Sequence, residues 1–424
     1  MPIAVFDVLR NNISSLLGGA AIDLVAGTGE GRGEEPGIRE ELRIEEKPFL
    51  FTAHRDSLPF TPTEQTFCRE LLTAFSAMYS GFRQEGYAAH FRTALLASIM
   101  DITVARSLRG DHRKGFWPIQ QLIQLLKNLS YQRYEGKPAT SGFLVYRTTF
   151  RELRELLKGR KHSLFPLEPR QEISATFYDN PLTYRFIDGE NLFFTASITM
   201  QVTGIMQTGM SAAVTDVERL TQREIFSLVR RAGSGAFAVT VNEASEIEVL
   251  VSPAKILVRR KGHWAIFDPD VFRSFLAGCI DALSADDLLW TVYALSKSRY
   301  GTVILIHHGT AGKLARLKKG SVGGADPIGR QLMDRVKGRT VTELKQGGAL
   351  LRILSADGMT VFSREGRLVE TGFIIDTSHA RDLVTGGGRT TAATAASFFG
   401  RVIKVSQDGP IELYQDGRLV YRFG

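Results

Sequence analysis

Internal repetition constrains this chain more than any other feature. Leu129-Ser130-Tyr131-Gln132-Arg133-Tyr134 leads through a short loop into the apolar run Phe143-Leu144-Val145-Tyr146. At a separation of 166 positions, Leu295-Ser296-Lys297-Ser298-Arg299-Tyr300 leads into Val303-Ile304-Leu305-Ile306. Asp188-Gly189 heads a strand pair closing on Val202-Thr203-Gly204-Ile205; 169 positions on, Asp357-Gly358 heads one closing on Glu370-Thr371-Gly372-Phe373. The run Ala236 to Val241 continues to Glu246-Ile247-Glu248-Val249, and 164 positions on, Arg401 to Val405 continues to Pro410-Ile411-Glu412-Leu413. One such match arises by chance. Three in the same order at nearly constant offset mark a duplicated unit. The copies span 115–265 and 280–424, with a helical bridge starting at Phe267-Asp268-Pro269-Asp270. Each reads as helix, strand, helix, several strands, helix and strand hairpin. The fold class that follows is α/β, a mixed central sheet flanked by helices, in two copies behind an N-terminal helical segment.

Residues 1–110 read as that helical region, interrupted by a Gly-rich linker. Met1 to about residue 25 has helical apolar spacing; Phe67, Leu71, Leu72 and Phe75 mark a second helix, and Phe91, Leu95, Ile99 and Ile102 a third. Between them, Gly27-Thr28-Gly29-Glu30-Gly31-Arg32-Gly33 lacks the Gly-Lys-Ser/Thr ending of a phosphate loop, and its glutamates repel phosphate. It reads as a linker followed by an acidic stretch through Glu46.

Charge and cysteine usage narrow the setting. A formal net charge of +8 over 424 residues favours acidic ligands, but no dense basic run with interleaved aromatics points to nucleic acid. Two distant cysteines, Cys68 and Cys279, build neither a disulfide framework nor a metal cluster, which suits a reducing cytoplasm. The N-terminus lacks the basic start and unbroken apolar core of a signal peptide. No window reaches about eighteen uninterrupted apolar residues, so no membrane span is expected.

The chemistry gathers near the end of the chain. Asp357-Gly358 reads as a turn between strands, Ala349 to Leu354 and Thr360 to Phe362. About thirty residues on, Gly386-Gly387-Gly388-Arg389-Thr390-Thr391 opens an Ala-rich helix. Glycines at a helix start let backbone N–H groups face an anion at the positive end of the dipole. Arg389 adds a fork for phosphate oxygens, Thr390 and Thr391 add hydroxyls, and Asp357 is placed to hold a divalent cation or accept a proton. The first copy keeps Asp188-Gly189 but has Thr221-Gln222-Arg223-Glu224 before the corresponding helix. The glycines are therefore not demanded by the repeat itself.

At these residues the sequence resembles the diadenylate cyclase domain family, whose members join two ATP into cyclic di-AMP and pyrophosphate. Leu295 to Ile306 resemble the family's opening helix and strand, and Asp357-Gly358-Met359 its Asp-Gly-Ala motif. Thr371-Gly372-Phe373-Ile374-Ile375 resemble its Ala-Gly-Cys-Ile-Leu turn. Gly387 to Ala393 match its Gly-Thr-Arg-His-Arg-Ala-Ala in part, and Val405-Ser406-Gln407 its late strand. The likeness covers about 140 residues. It implies that Asp357 binds Mg²⁺ or Mn²⁺ and helps activate the ribose 3′-hydroxyl, and that Gly358 admits the nucleotide. It also implies that Ile375 packs on adenine and that Gly387, Gly388 and Arg389 contact phosphates, with Thr390, Thr391 and Ser406 lining the same pocket. Thr390 and Thr391 stand where the family has His and a second Arg, and Met359 where it has Ala.

The family makes its product between two facing domains, so the resemblance implies a homo-oligomer through the C-terminal copy. The first copy reads as a degenerate sensor or scaffold. The alternative to cyclase chemistry is a receptor that binds ATP or a cyclic dinucleotide without turning it over. Elsewhere, His307-His308 lacks a third metal ligand at defined spacing. His379, near Asp376 and Ser378, reads as part of a polar turn. Trp117, Trp264 and Trp290 read as packing anchors.

Overall fold

A computed structural model describes residues 3–27, 37–44, 47–84, 98–110, 117–158, 162–209, 216–252, 255–322, 326–383 and 387–424. Gly386, most of the glycine-rich stretch after Gly27, and Phe91 and Leu95 lie outside the described residues.

The N-terminal region holds more than helices. Helix α1 (Ile3–Leu16) is followed by three antiparallel strands, β1 (Ala21–Ala26), β2 (Gly37–Ile44) and β3 (Lys47–His54), with β3 central. The acidic stretch expected to be linker therefore includes a strand. Ile38, Leu42 and Ile44 of β2 are buried, while the charged residues between them stay more exposed. Helices α2 (Pro62–Gln84) and α3 (Ile99–Arg109) complete the region.

The first copy comprises α4 (Trp117–Ser130), β4 (Ser141–Tyr146), α5 (Phe150–Leu157), β5 (Ser163–Glu172), β6 (Leu192–Ser197), β7 (Gln201–Gln207), α6 (Arg223–Ala232), β8 (Ala236–Val241), β9 (Ile247–Val251), β10 (Lys255–Arg260) and β11 (His263–Phe267). The second comprises α7 (Ala282–Lys297), β12 (Thr302–His307), β13 (Lys318–Ser321), α8 (Leu350–Leu354), β14 (Met359–Phe362), β15 (Leu368–Ile375), α9 (Gly388–Ser397), β16 (Gly400–Val405), β17 (Ile411–Gln415) and β18 (Arg418–Phe423). The first sheet runs β5-β7-β6-β4-β8-β9-β10-β11, the second β13-β15-β14-β12-β16-β17-β18. Apart from the extra β11 the orders correspond strand for strand. Each central strand pairs parallel on one side, Phe143 with Phe194 and Val303 with Met359. On the other side each pairs antiparallel, Ser141 with Val241 and Thr302 with Val405. The segment Ala349 to Leu354 is not a strand: most of it is the short helix α8.

Alternation along the central strands builds a layered stack. Phe143 and Val145 face a core shared with α1 to α4, so the N-terminal region packs on the first sheet. Leu144 and Tyr146 face a second core together with Ile304 and Ile306 of the other sheet. Helix α7 lies in this core, buried around nearly its whole circumference, as a helix between two sheets must be. Val303 and Leu305 face the third core, under α9. There Ala393, Ala395 and Ala396 are fully buried, and their small side chains let α9 sit close to the sheet. Trp264 and Trp290 anchor packing as expected, whereas Trp117 is exposed.

Candidate functional site

The Asp357-Gly358 turn and the start of α9 meet at one end of β12. Gly358 has φ +86°, and a Cβ on it would lie 2.7 Å from the backbone of Gly372, itself at φ +71°. Gly358 is thus required by backbone packing, whatever binds nearby. Thr371 Oγ1 donates to Ile353 O (3.3 Å) and lies 3.1 Å from Thr360 Oγ1, fixing the strands behind the turn. The turn presents the Asp357 carboxylate outward, with its side chain 84% exposed, 3.9 Å from Arg389 Nη2. The Arg389 guanidinium lies over Gly301, where a Cβ would come within 2.7 Å of Nη1 and 2.9 Å of Gln407 Cγ.

Gly387 and Gly388 differ from Gly358. A Cβ at either position would meet nothing within 4 Å, and Gly387 has an ordinary φ of −72°. No side chain caps α9, although its N-cap position is one where a Ser, Thr or Asp would satisfy an orphan N–H. The N–H groups of Thr390 and Thr391 turn back to Gly387 O (2.9 and 3.1 Å), which leaves those of Gly388 and Arg389 as the donors of the helix start.

Below them lies a charged pair set into the sheet. Lys404 Nζ donates to Thr390 Oγ1 (2.7 Å) and to Glu412 Oε2 (2.6 Å), and Tyr414 Oη donates to the same carboxylate oxygen (2.8 Å). Burial, reinforced by Glu412, raises the Tyr414 phenol far above its usual range, so it stays protonated as a donor. Thr391 Oγ1 reaches back to Gly387 O at 3.4 Å. Ser406 begins the turn into β17, its N–H bonded to Pro410 O at 2.8 Å.

The structure therefore brings together Asp357, Gly358, Gly387, Gly388, Arg389 and Thr390. Ile375 is 5% exposed within the core under α9, and its neighbour Ile374 is the exposed one. Gly301, Lys404 and Glu412 escaped the motif reading, and Gln407 was read only as part of the late-strand motif. The signal for Lys404 and Glu412 was the hairpin register, which sets them opposite each other. Lys318 is paired with Glu370 across β13 and β15. His307 and His308 lie at the far end of β12, roughly 16 Å along the strand from Thr302. His379 packs its ring on Phe398 and Phe399 with Nε2 3.1 Å from Ala395 O, while Asp376 accepts from Ser378.

The first copy fills the equivalent space with its own side chains. Gln222, at the start of α6 with φ +52°, sends Nε2 to Gly189 O (2.7 Å). Asp188 accepts from the backbone N–H groups of Glu190, Asn191 and Leu192 (2.7–2.9 Å) and from Asn191 Nδ2 (2.8 Å). That carboxylate is spent within its own loop.

Among the described residues no three His, Cys, Asp or Glu side chains gather as a metal cage. A single outward carboxylate fits Mg²⁺ or Mn²⁺ carried in on a polyphosphate, since such ions keep waters and take one or two carboxylates plus phosphate oxygens. No helix of the described residues is long and apolar enough to cross a membrane.

No protein-family model matches the chain, and no curated protein does. A solved structure described as a hypothetical membrane spanning protein from Bacillus cereus is similar over 37% of this chain and 73% of its own, with 16% sequence identity and a TM-score of 0.27. A score at that level carries no argument.

Proposed function

We propose that the second copy binds the phosphates of ATP at the start of α9 and, in a pair of chains facing through this copy, joins two ATP into cyclic di-AMP with release of pyrophosphate. The observation that carries the reading is the convergence of Asp357 and Arg389 beside an uncapped helix start whose two glycines are required by neither packing nor φ. The choice of adenine and of this reaction rests on the motif resemblance. In this reading the N–H groups of Gly388 and Arg389 and the Arg389 guanidinium hold phosphate oxygens, and Lys404 orients Thr390. Asp357 binds the cation and accepts the proton from the attacking 3′-hydroxyl. A Mg²⁺ or Mn²⁺ ion would supply charge neutralisation on the triphosphate.

A second reading, a receptor for ATP or a cyclic dinucleotide, is favoured by Thr390 and Thr391, which are neutral, and by Lys404 being committed to Glu412. Labelled ATP with Mg²⁺ or Mn²⁺ separates the two. Cyclic product lost in Asp357→Asn supports the cyclase. Saturable ATP binding without product, lost in Arg389→Ala, supports the receptor. Product unaffected by Asp357→Asn, or no adenine-nucleotide binding by calorimetry, overturns the site.

A further inference from the structure

The geometry points to a second, separate anion site, one that takes a phosphate or phosphomonoester group where the N-terminal region and both copies meet. A cavity of about 400 Å³ opens there between α1, the β10–β11 turn and the β16–β17 turn. Its basic lining is Arg260, Lys261, His263 and Arg422, joined by Asn11 and Ser15 of α1, with Asp408 as the facing carboxylate.

Arg260 carries the inference. It is 4% exposed, its Nε bonds Glu246, and its Nη2 donates to Ser296 Oγ at 3.0 Å. Its Nη1 is buried without any hydrogen-bond partner. Leaving a guanidinium N–H orphaned costs more than leaving a neutral donor so, and such groups in folded proteins call for an explanation. Two glycines bracket that nitrogen: a Cβ on Gly409 would lie 2.8 Å from it and one on Gly424 2.6 Å, and Gly424 lines the cavity. Both distances are too short for a side chain, so glycine at 409 and 424 lets the backbone pack against the guanidinium at the cavity wall.

The charge balance agrees. Glu246 is shared by Arg260 and Arg299, so one carboxylate answers two guanidinium groups. Asp408 is matched by Lys261 at 2.8 Å. Glu412, 3.7 Å from Arg422, is already bonded to Lys404. The five cations named (Arg260, Arg299, Lys261, Arg422 and Lys404) outnumber the three side-chain carboxylates and the Gly424 α-carboxylate by one, while α1 supplies neutral donors. A phosphate accepts from a guanidinium fork and hydroxyls together. The site is distinct from the α9 start, although the turn 406–410 borders both: Gln407, like Arg389, packs over Gly301, and Asp408 lines the cavity.

Isothermal calorimetry of the full chain with inorganic phosphate tests this, run in parallel on Arg389→Ala to silence the other site. Saturable binding that survives Arg389→Ala and weakens about tenfold in Lys261→Ala/Arg422→Ala is the expected result. These two side chains are largely exposed, so the double variant keeps its fold, to be checked by an unchanged melting curve. Adding AMP in the Arg389→Ala background identifies the source: tighter binding than phosphate marks a phosphomonoester, equal or weaker binding the free ion. No saturable phosphate binding, binding abolished by Arg389→Ala, or binding indifferent to the double variant overturns the site.

Discussion

Replacing Gly388 by alanine sets stability against ligand binding in a single methyl group. Gly388 is the first residue of α9, is exposed, and has open space around its missing Cβ. Alanine outranks glycine in a helix interior by about 1 kcal/mol, and at an unstrained position the substitution stabilises by about 0.4–1 kcal/mol through the unfolded chain. At the first turn the expected gain is about 0.5 kcal/mol, read as a small rise in the urea midpoint with unchanged slope. In the proposed reading the same methyl stands where a phosphate oxygen approaches the N–H groups. Losing one charge-assisted hydrogen bond costs about 1.5–3 kcal/mol, so ATP affinity measured by calorimetry falls roughly tenfold to a hundredfold. A variant that gains stability yet binds ATP as before refutes phosphate binding at this helix start. One that loses more than about 1 kcal/mol shows instead that Gly388 was kept for packing.

Three further outcomes follow from the same structure. Gly358→Ala meets the Gly372 backbone at 2.7 Å with φ at +86°, so it lowers stability by about 2 kcal/mol or more, whether or not nucleotide is present; an unchanged denaturation midpoint refutes the packing argument. Lys297→Met strands the buried Glu248, its partner at 2.8 Å, and costs about 3–5 kcal/mol by urea denaturation; Lys297→Met/Glu248→Gln recovers most of that, and equal losses in both variants contradict the charge-stranding account. Burial, with neighbouring positive charge, holds the imidazoles of His307 and His308 below their ordinary value of 6.5. The fold favours their neutral forms, so stability is complete above about pH 6.5 and declines as pH falls through the lower folded values. His307→Gln/His308→Gln flattens that decline, and a wild-type midpoint constant across the window rules the linkage out.

The repeat was legible because strand order follows from hydrophobic alternation and turn spacing, and both survived divergence. Phe143 to Tyr146 and Val303 to Ile306 bury every residue on alternate faces, so they stand out as central strands without any knowledge of their partners. The helix after Gly388 was equally legible from its alanines. The run Ala349 to Leu354 was not: six residues carry too little periodicity to tell a helical turn from a buried strand. Strand β2 was masked by its charge, since three buried aliphatics among acidic and basic residues read as linker. The filling of the first copy could not be read at all. It depends on Gln222 adopting a left-handed backbone that turns its side chain inward, a choice no local pattern announces.

That inward turn bears on how two sites come to face each other. Gln222 satisfies Nε2 against Gly189 but leaves Oε1 buried without a partner, so the first copy keeps a polar defect where the second keeps an opening. Its helix α6 also packs into the core shared with α7, inside the stack. The second copy's α9 covers the third core, and among the described residues no further layer lies outside it. Helix α6 is thus enclosed between the two sheets, whereas α9 and its open start lie at the outer side of the stack. If the proposed reaction runs here, its second phosphate site has to come from another chain.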